Sequence, residues 1–314
     1  MEPKPGFGKE IEPFTNTLVL GGSGLVGSRY VELCSTHPEQ IIVPSRAQLD
    51  ITNREQVGHF VERYKPAVLI NFVAYTNVSE AENQRDDRTG SCWQTNVEGA
   101  RNLVSAIDPH TFYIQLSTDM VFPGNAGNPG PYTEIHPPET DSGNLTWYGY
   151  TKAEGERVVT GALGNRAAIA RIIYPVRASY SQKLDYLRKP LAAYDAGKTL
   201  TLFSDQQINV TYIDEACLAL EKIARLRSGG VYHIATRDMT TPQEIVAYLI
   251  EKARGVKGAV GRSSLTDFLK TSPSPNRYPQ YGGLKVATTE EILGMGFSTW
   301  REVVDKLSQS LKHP

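Results

Sequence analysis

Short apolar runs bounded by turn residues recur along the first half of the chain, and stretches of helical character fill the intervals. TLVL (17–20) is the first run; it ends in GGSGLVG (21–27), after which a helical stretch extends to about Cys34. QIIVP (40–44) is the second, and KPAVLINFVA (65–74) is the third, passing into a loop over 75–80. Between them, Thr52 and Glu55 are placed as a capping box for a helix. A long helix over roughly residues 88–107 precedes a fourth run at 112–117, and a fifth covers 167–173. Strand and helix alternating at this spacing predict an α/β fold with a doubly wound parallel sheet.

The pattern breaks after Pro175. Residues 181–196 read as a mixed helix carrying Lys183, Arg188 and Lys189, a basic cluster that suits a diphosphate and a solvated face equally. Strands at 200–203 and 230–234 flank a helix over about 214–226. Thr241, Pro242 and Glu244 announce a helix to about Arg254, with a capping box and proline at its first position. A last helix at 300–311 is apolar at Val303, Val304, Leu307 and Leu311, the stripe of a helix packed on its own domain. Residues 271–283, rich in Ser, Pro, Gly and Tyr, read as a loop able to reach over a bound substrate, with Arg277 its best phosphate ligand.

Composition narrows the partners. The 314 residues are 40% hydrophobic and 21% charged with a net charge of −1, and no basic run argues for nucleic acid or an anionic membrane as partner. No apolar run is long enough to span a bilayer, and residues 1–14 read as a flexible lead-in rather than a signal, so a cytoplasmic location is expected. The three cysteines, Cys34, Cys92 and Cys217, are odd in number and far apart, the pattern of buried reduced thiols. The histidines form no metal-ligand spacing, so no metal is expected.

Two stretches carry candidate chemistry. In the glycine turn, Gly21 permits the tight bend, Gly24 lets a pyrophosphate approach the backbone, and Gly27 lets helix and strand pack closely. After the second strand, Arg46 stands where an acidic residue would select NAD. It suits a 2′-phosphate, though a solvated surface arginine is an equal account, so NADP is favoured and NAD remains open. The second stretch is YGYTKAEGE (148–156), where Tyr148 and Lys152 lie one helical turn apart on one face. An ammonium beside a phenol favours phenolate and is expected to lower the Tyr148 pKa. Gly24, Ala74, Thr118 and Tyr148 all fall at the carboxyl edge of the predicted sheet, where ligands bind.

With those positions in hand, the chain resembles the extended short-chain dehydrogenase/reductases, and within them the dTDP-4-dehydrorhamnose reductase branch. The resemblance rests on GGSGLVG (21–27), LDIT (49–52), INFVAYTNVSEAE (70–82), LSTDMVFPG (116–124), YGYTKAEGE (148–156) and SDQQINVTYIDEA (204–216). It implies a Rossmann-like dinucleotide-binding domain over 15–177, to which parts of 205–235 return, and a smaller C-terminal α/β substrate domain over most of 178–314. It implies Tyr148 as proton donor, Lys152 as the tuning and ribose-binding cation, and Thr118 as a hydrogen-bond partner of the reacting oxygen. Gly21, Gly24, Leu25, Val26 and Gly27 would cradle the pyrophosphate, Asp50 and Ile51 would lie near the adenine, and Ala74 and Tyr75 would line the path to the nicotinamide. A nucleotide-sugar substrate would meet Asp119, Tyr174 and Arg277, and a homodimer is the assembly to test.

The sequence also departs from that branch. Met120 stands where an aromatic residue is usual, Tyr174 is a partial substitute for the aromatic that packs on the sugar, and the segment between Gly124 and Tyr148 is long. Related dehydratases carry Thr-Asp-Glu where this chain has Thr118-Asp119-Met120, which argues against dehydration; epimerisation stays open. So does a non-catalytic role as a cofactor-binding regulatory subunit, resembling the methionine adenosyltransferase β subunit.

Overall fold

The structure, a computed structural model, describes residues 16–33, 41–273 and 275–311. The expected lead-in and Cys34 lie outside the described residues. In chain order the first half contains β1 (Thr17–Leu20), α1 (Gly27–Leu33), β2 (Ile41–Ile42), α2 (Arg54–Tyr64), β3 (Val68–Asn71), α3 (Val78–Glu82), α4 (Ser91–Trp93), α5 (Gly99–Ala106), β4 (Phe112–Thr118), α6 (Trp147–Leu163) and β5 (Ala167–Ile172). The second half contains β6 (Pro175–Val176), α7 (Arg188–Asp195), β7 (Leu200–Phe203), β8 (Thr211–Tyr212), α8 (Ile213–Leu226) and β9 (Gly230–Ile234). It closes with α9 (Pro242–Arg254), β10 (Val260–Ser263), α10 (Leu265–Leu269), α11 (Ala287–Leu293) and α12 (Trp300–Ser310).

Six strands form one parallel sheet in the order β2-β1-β3-β4-β5-β9. Successive residues of a strand face opposite sides. Leu18, Leu20 and Leu69 accordingly enter a core under α5 and α6, while Val19, Val68 and Ile70 enter the core covered by α8 and α11. The order reverses between β1 and β3, and a crevice opens at such a switch point, outside the carboxyl ends of the strands. The second half builds a further core from α7, α9 and α12, with Leu191, Ile245, Leu249, Trp300 and Val304 among its members. Two short parallel pairs, β6 with β8 and β7 with β10, complete it.

Several local expectations shift. Helix α2 is capped by Asn53, whose side chain accepts from the Gln56 amide, because Asp50 captures both the amide and hydroxyl of Thr52 at 2.9 and 2.8 Å. The helix expected over 88–107 is interrupted by a π-helical turn at Gln94–Glu98. That expected over 181–196 starts only at Arg188, since Asp185 accepts from the Leu187 and Arg188 amides and caps it there. In α9 only half the capping box forms: Thr241 accepts from the Glu244 amide, while the Glu244 carboxylate bonds Thr240 and Arg301. A complete box, Thr299 with Glu302, starts α12.

Behind the sheet edge lies a buried ion pair. Arg171 and Glu156 are 1% and 3% exposed, joined through Nη2 to Oε2 at 2.7 Å and Nε to Oε1 at 3.0 Å. Glu156 Oε1 also accepts from Ser117 Oγ at 2.5 Å, and the guanidinium lies 4.8 Å from the Phe122 ring centroid. Removing one member strands a charge in the core, whereas replacing both with apolar residues does not. Glu156→Leu is therefore expected to lose about 3–5 kcal/mol in urea unfolding, and the Glu156→Leu/Arg171→Met double variant to regain most of it. Equal losses in the two would refute the pairing.

Candidate active site

A cleft of about 720 Å³ opens at the switch point. Its walls are the glycine turn, Phe72 and Ala74 after β3, Leu116 to Met120 at the end of β4, and Tyr148 and Lys152 of α6. Tyr174, Tyr180, Lys183, Tyr186 and Lys189 close the far side. Sheet register brings the parts level, because Thr118 pairs with Ile172 and Leu20 with Asn71.

The turn has the geometry its glycines predict. Gly21 sits at φ +75°, where a side chain is strained, and its carbonyl accepts from the Gly24 amide at 3.0 Å. A Cβ on Gly27 would overlap the Gly21 carbonyl oxygen. Among the described residues the Leu25 and Val26 amides have no hydrogen-bond partner, although both residues line the cleft. Open backbone donors on one wall and a buried ammonium on another are the groups that the pyrophosphate and ribose of a dinucleotide require, so the residues fit the expected cofactor.

Helix α6 is fixed at its start by two acceptors. Thr146 Oγ1 takes the Gly149 amide at 3.0 Å, and the Glu82 carboxylate takes the Trp147 amide at 2.5 Å. Its side chains Tyr148 and Lys152 thereby face the end of β4. Lys152 is 4% exposed, and its Nζ donates to the Leu116 carbonyl at 2.7 Å. Burial lowers its pKa to about 8, with Glu156 opposing. The expected acidification of Tyr148 does not occur. Burial and the Asp119 carboxylate push the phenol above its ordinary value, outweighing its bond to Thr118. Thr118 Oγ1 donates to Asp119 Oδ1 at 3.1 Å and accepts from the Met120 amide at 3.2 Å. Asp119, buried with few donors, is pushed up to about 7. Tyr174, at φ +38°, stacks on Tyr186 with ring centroids 4.1 Å apart.

Five expected site residues lie outside the cleft lining. Arg46 is exposed and faces Asp50 at 3.7 Å, while Asp50 binds Thr52. Ile51 is buried in the core against α5, leaving only its backbone for a ligand. Tyr75 turns its ring into the cluster of Cys92, Trp93 and Trp147, because Asn96 holds its backbone amide at 2.8 Å and Gln84 its hydroxyl at 3.1 Å. Arg277 bonds Ser79, and Tyr281 and Asn276 strap the 124–145 region, so that neither Arg277 nor these two residues line the cleft. Of the basic cluster, Arg188 is held by Asp185, and only Lys183 and Lys189 reach the cleft. Cys92 and Cys217 are both buried.

Residues 15–313 match the family described as RmlD substrate binding domain. The chain belongs to this family. Among RmlD-family relatives, a dTDP-4-dehydrorhamnose reductase of Streptomyces griseus is 31% identical over 235 residues, 73% of each chain. One of Aggregatibacter actinomycetemcomitans is 26% identical over 92% of this chain and 97% of its own. The dTDP-4-dehydrorhamnose reductase of Bacillus anthracis, solved in complex with NADP, shares the fold with a TM-score of 0.81 at 24% identity, covering 94% of this chain and 99% of that one.

Sequence reasoning missed Glu82, Thr76, Val78, Tyr180 and Tyr186. Glu82 lies inside a quoted motif, but its bond to Trp147 spans 65 residues and no local pattern announces it. The Lys152 ammonium at this RmlD-family site predicts a pH dependence. For the dinucleotide, kcat/KM reports the free enzyme. It is expected to fall as pH rises through about 8, where Lys152 loses its proton. A profile flat to about pH 10 would show that the charge is not needed.

Proposed function

We propose that this protein is an NAD(P)H-dependent oxidoreductase reducing a keto group on a nucleotide sugar, with dTDP-4-dehydro-L-rhamnose the leading substrate and dTDP-L-rhamnose the product. The reading is carried by the meeting of Tyr148, Lys152 and Thr118 beside the open amides of the glycine turn. The 31% identity to a dTDP-4-dehydrorhamnose reductase supports the same chemistry. When bound, the reduced dinucleotide supplies hydride to the carbonyl carbon. Tyr148 gives its proton to the carbonyl oxygen, and the burial that raises its pKa keeps that proton in place beforehand. Thr118, oriented by the Met120 amide, exchanges its bond to Asp119 for one to the same oxygen. Lys152 has one carbonyl partner and turns its remaining donors to the ribose.

The sugar lies against Tyr174, with Asp119 facing its hydroxyls, and Lys183 and Lys189 meet the diphosphate. Arg277 stands outside the lining and is the weakest member of the proposed substrate set. Met120 follows Asp119 on the cleft wall and has no group to abstract a proton, which favours reduction over dehydration.

Purified protein supplied with dTDP-4-dehydro-L-rhamnose is expected to oxidise NADPH rapidly. Cofactor binding without oxidation would move the reading to another keto sugar or to a non-catalytic subunit. Tyr148→Phe should abolish turnover and leave dinucleotide affinity nearly unchanged; equal rates for variant and parent would sink the assignment. Arg46 stands exposed after β2, where it would exchange its contact with Asp50 for a 2′-phosphate. Its replacement by alanine is expected to lower the NADPH/NADH preference about tenfold, the worth of one charge-assisted bond. An unchanged ratio would return Arg46 to the solvated surface.

A further inference from the structure

The loop after β6 is bolted to the glycine turn. Arg177, 6% exposed, reaches the glycine turn and α1: Nη1 donates to the Leu25 carbonyl at 3.2 Å and Ser28 Oγ at 2.9 Å, and Nη2 to both Glu32 carboxylate oxygens at 3.0 Å. The Tyr180 hydroxyl donates to the Ser23 carbonyl at 2.7 Å, and its ring lies 5.4 Å from the Arg177 guanidinium.

The same loop is stiffened from within. Asp185, 5% exposed, accepts from Arg188 Nε at 2.7 Å and from the Arg177 amide at 3.2 Å. Arg188 in turn donates to the Tyr180 and Lys183 carbonyls at 3.0 and 2.8 Å. The segment that presents Lys183, Tyr186 and Lys189 to the cleft is thus a braced unit with feet on residues 23 and 25 of the turn.

Peptide planarity gives those contacts a consequence. The Leu25 carbonyl and the Val26 amide share one plane and point in opposite directions. A guanidinium on the carbonyl therefore fixes where the amide aims, and polarises it as a donor. The Val26 amide has no other partner among the described residues. A shift of the turn on binding an anion would therefore bear on Arg177 and Tyr180, and a shift of the lysine-bearing side would bear on the turn.

We propose that Arg177 and Tyr180 are positioning residues that couple the two halves of the site, so that the dinucleotide and the nucleotide sugar bind cooperatively. This rests on the reading of the turn as the dinucleotide pyrophosphate site and deepens it. Coupling is reciprocal: each ligand tightens the other by one common factor. A role confined to holding the loop in place would weaken both affinities and leave that factor alone.

Isothermal titration of the full chain with NADPH, alone and with saturating dTDP as a non-reacting nucleoside diphosphate, measures the factor directly. In the parent, dTDP is expected to tighten NADPH at least about fivefold, and NADPH to tighten dTDP equally. In Tyr180→Phe, which removes one oxygen and keeps the ring, and in Arg177→Lys, the factor should fall towards one. A parental factor of one, or a parental factor kept in Tyr180→Phe, overturns the proposal, and the phenylalanine variant decides even if Arg177→Lys fails to fold. Failure of the parent to bind NADPH at all would instead overturn the functional reading beneath it.

Discussion

Helix α6 meets the turn after β4 and the π-helical turn at Gln94–Glu98 with almost nothing between their backbones, and the cleft depends on that approach. Gly149 lies against the Met120 carbonyl and Gly155 against the Asn96 carbonyl, where any Cβ would overlap the oxygen. At this separation, residues one turn apart on α6 reach Leu116, Ser117 and Thr118 at the end of the strand. Lys152 takes the Leu116 carbonyl and Glu156 takes the Ser117 hydroxyl. Tyr148, one turn earlier, reaches Thr118.

A buried cation on the cleft wall needs compensation, and the fold supplies it by a graded series rather than a direct partner. Glu156 lies one turn from Lys152, but its carboxylate is engaged by Arg171. Arg171 in turn reaches His233 Nε2 at 3.3 Å. Burial and the guanidinium lower the His233 pKa to about 3, so the ring is neutral and can accept that bond, while its Nδ1 meets the Lys285 carbonyl at 3.1 Å. Negative charge thus stays near Lys152 without being available to capture it. The ammonium is left with a carbonyl and the cleft.

Much of this was legible in the chain because it is local. Apolar runs of strand length, a glycine turn after the first, and the Tyr148–Lys152 spacing placed the sheet and the helix that lines the cleft without reference to distant residues. What was not legible depends on competition between groups. Thr52 could cap a helix, but Asp50 two residues away takes its donors. Tyr75 stands beside Ala74 in a loop read as cleft wall, yet Asn96 fixes its backbone so that only Ala74 faces in. Arg188 has the same charge as Lys183 and Lys189 and is removed from the site by Asp185. The Tyr148 acidity was misjudged for a related reason. Spacing gives the neighbour of a phenol but neither the solvent it loses nor the carboxylate that approaches from another element.

The aromatic packing at the start of α6 sets an emitting group beside the cleft. Trp147 precedes Tyr148, stacks on Trp93 at 5.8 Å and on Tyr150 at 5.5 Å, and its indole Nε1 is buried without a partner. An indole in so dry a setting emits at short wavelength, and the emission overlaps the near-ultraviolet absorption of a reduced nicotinamide. A reduced nicotinamide bound in the cleft would absorb where Trp147 emits, so tryptophan emission offers a label-free readout of dinucleotide binding next to Tyr148.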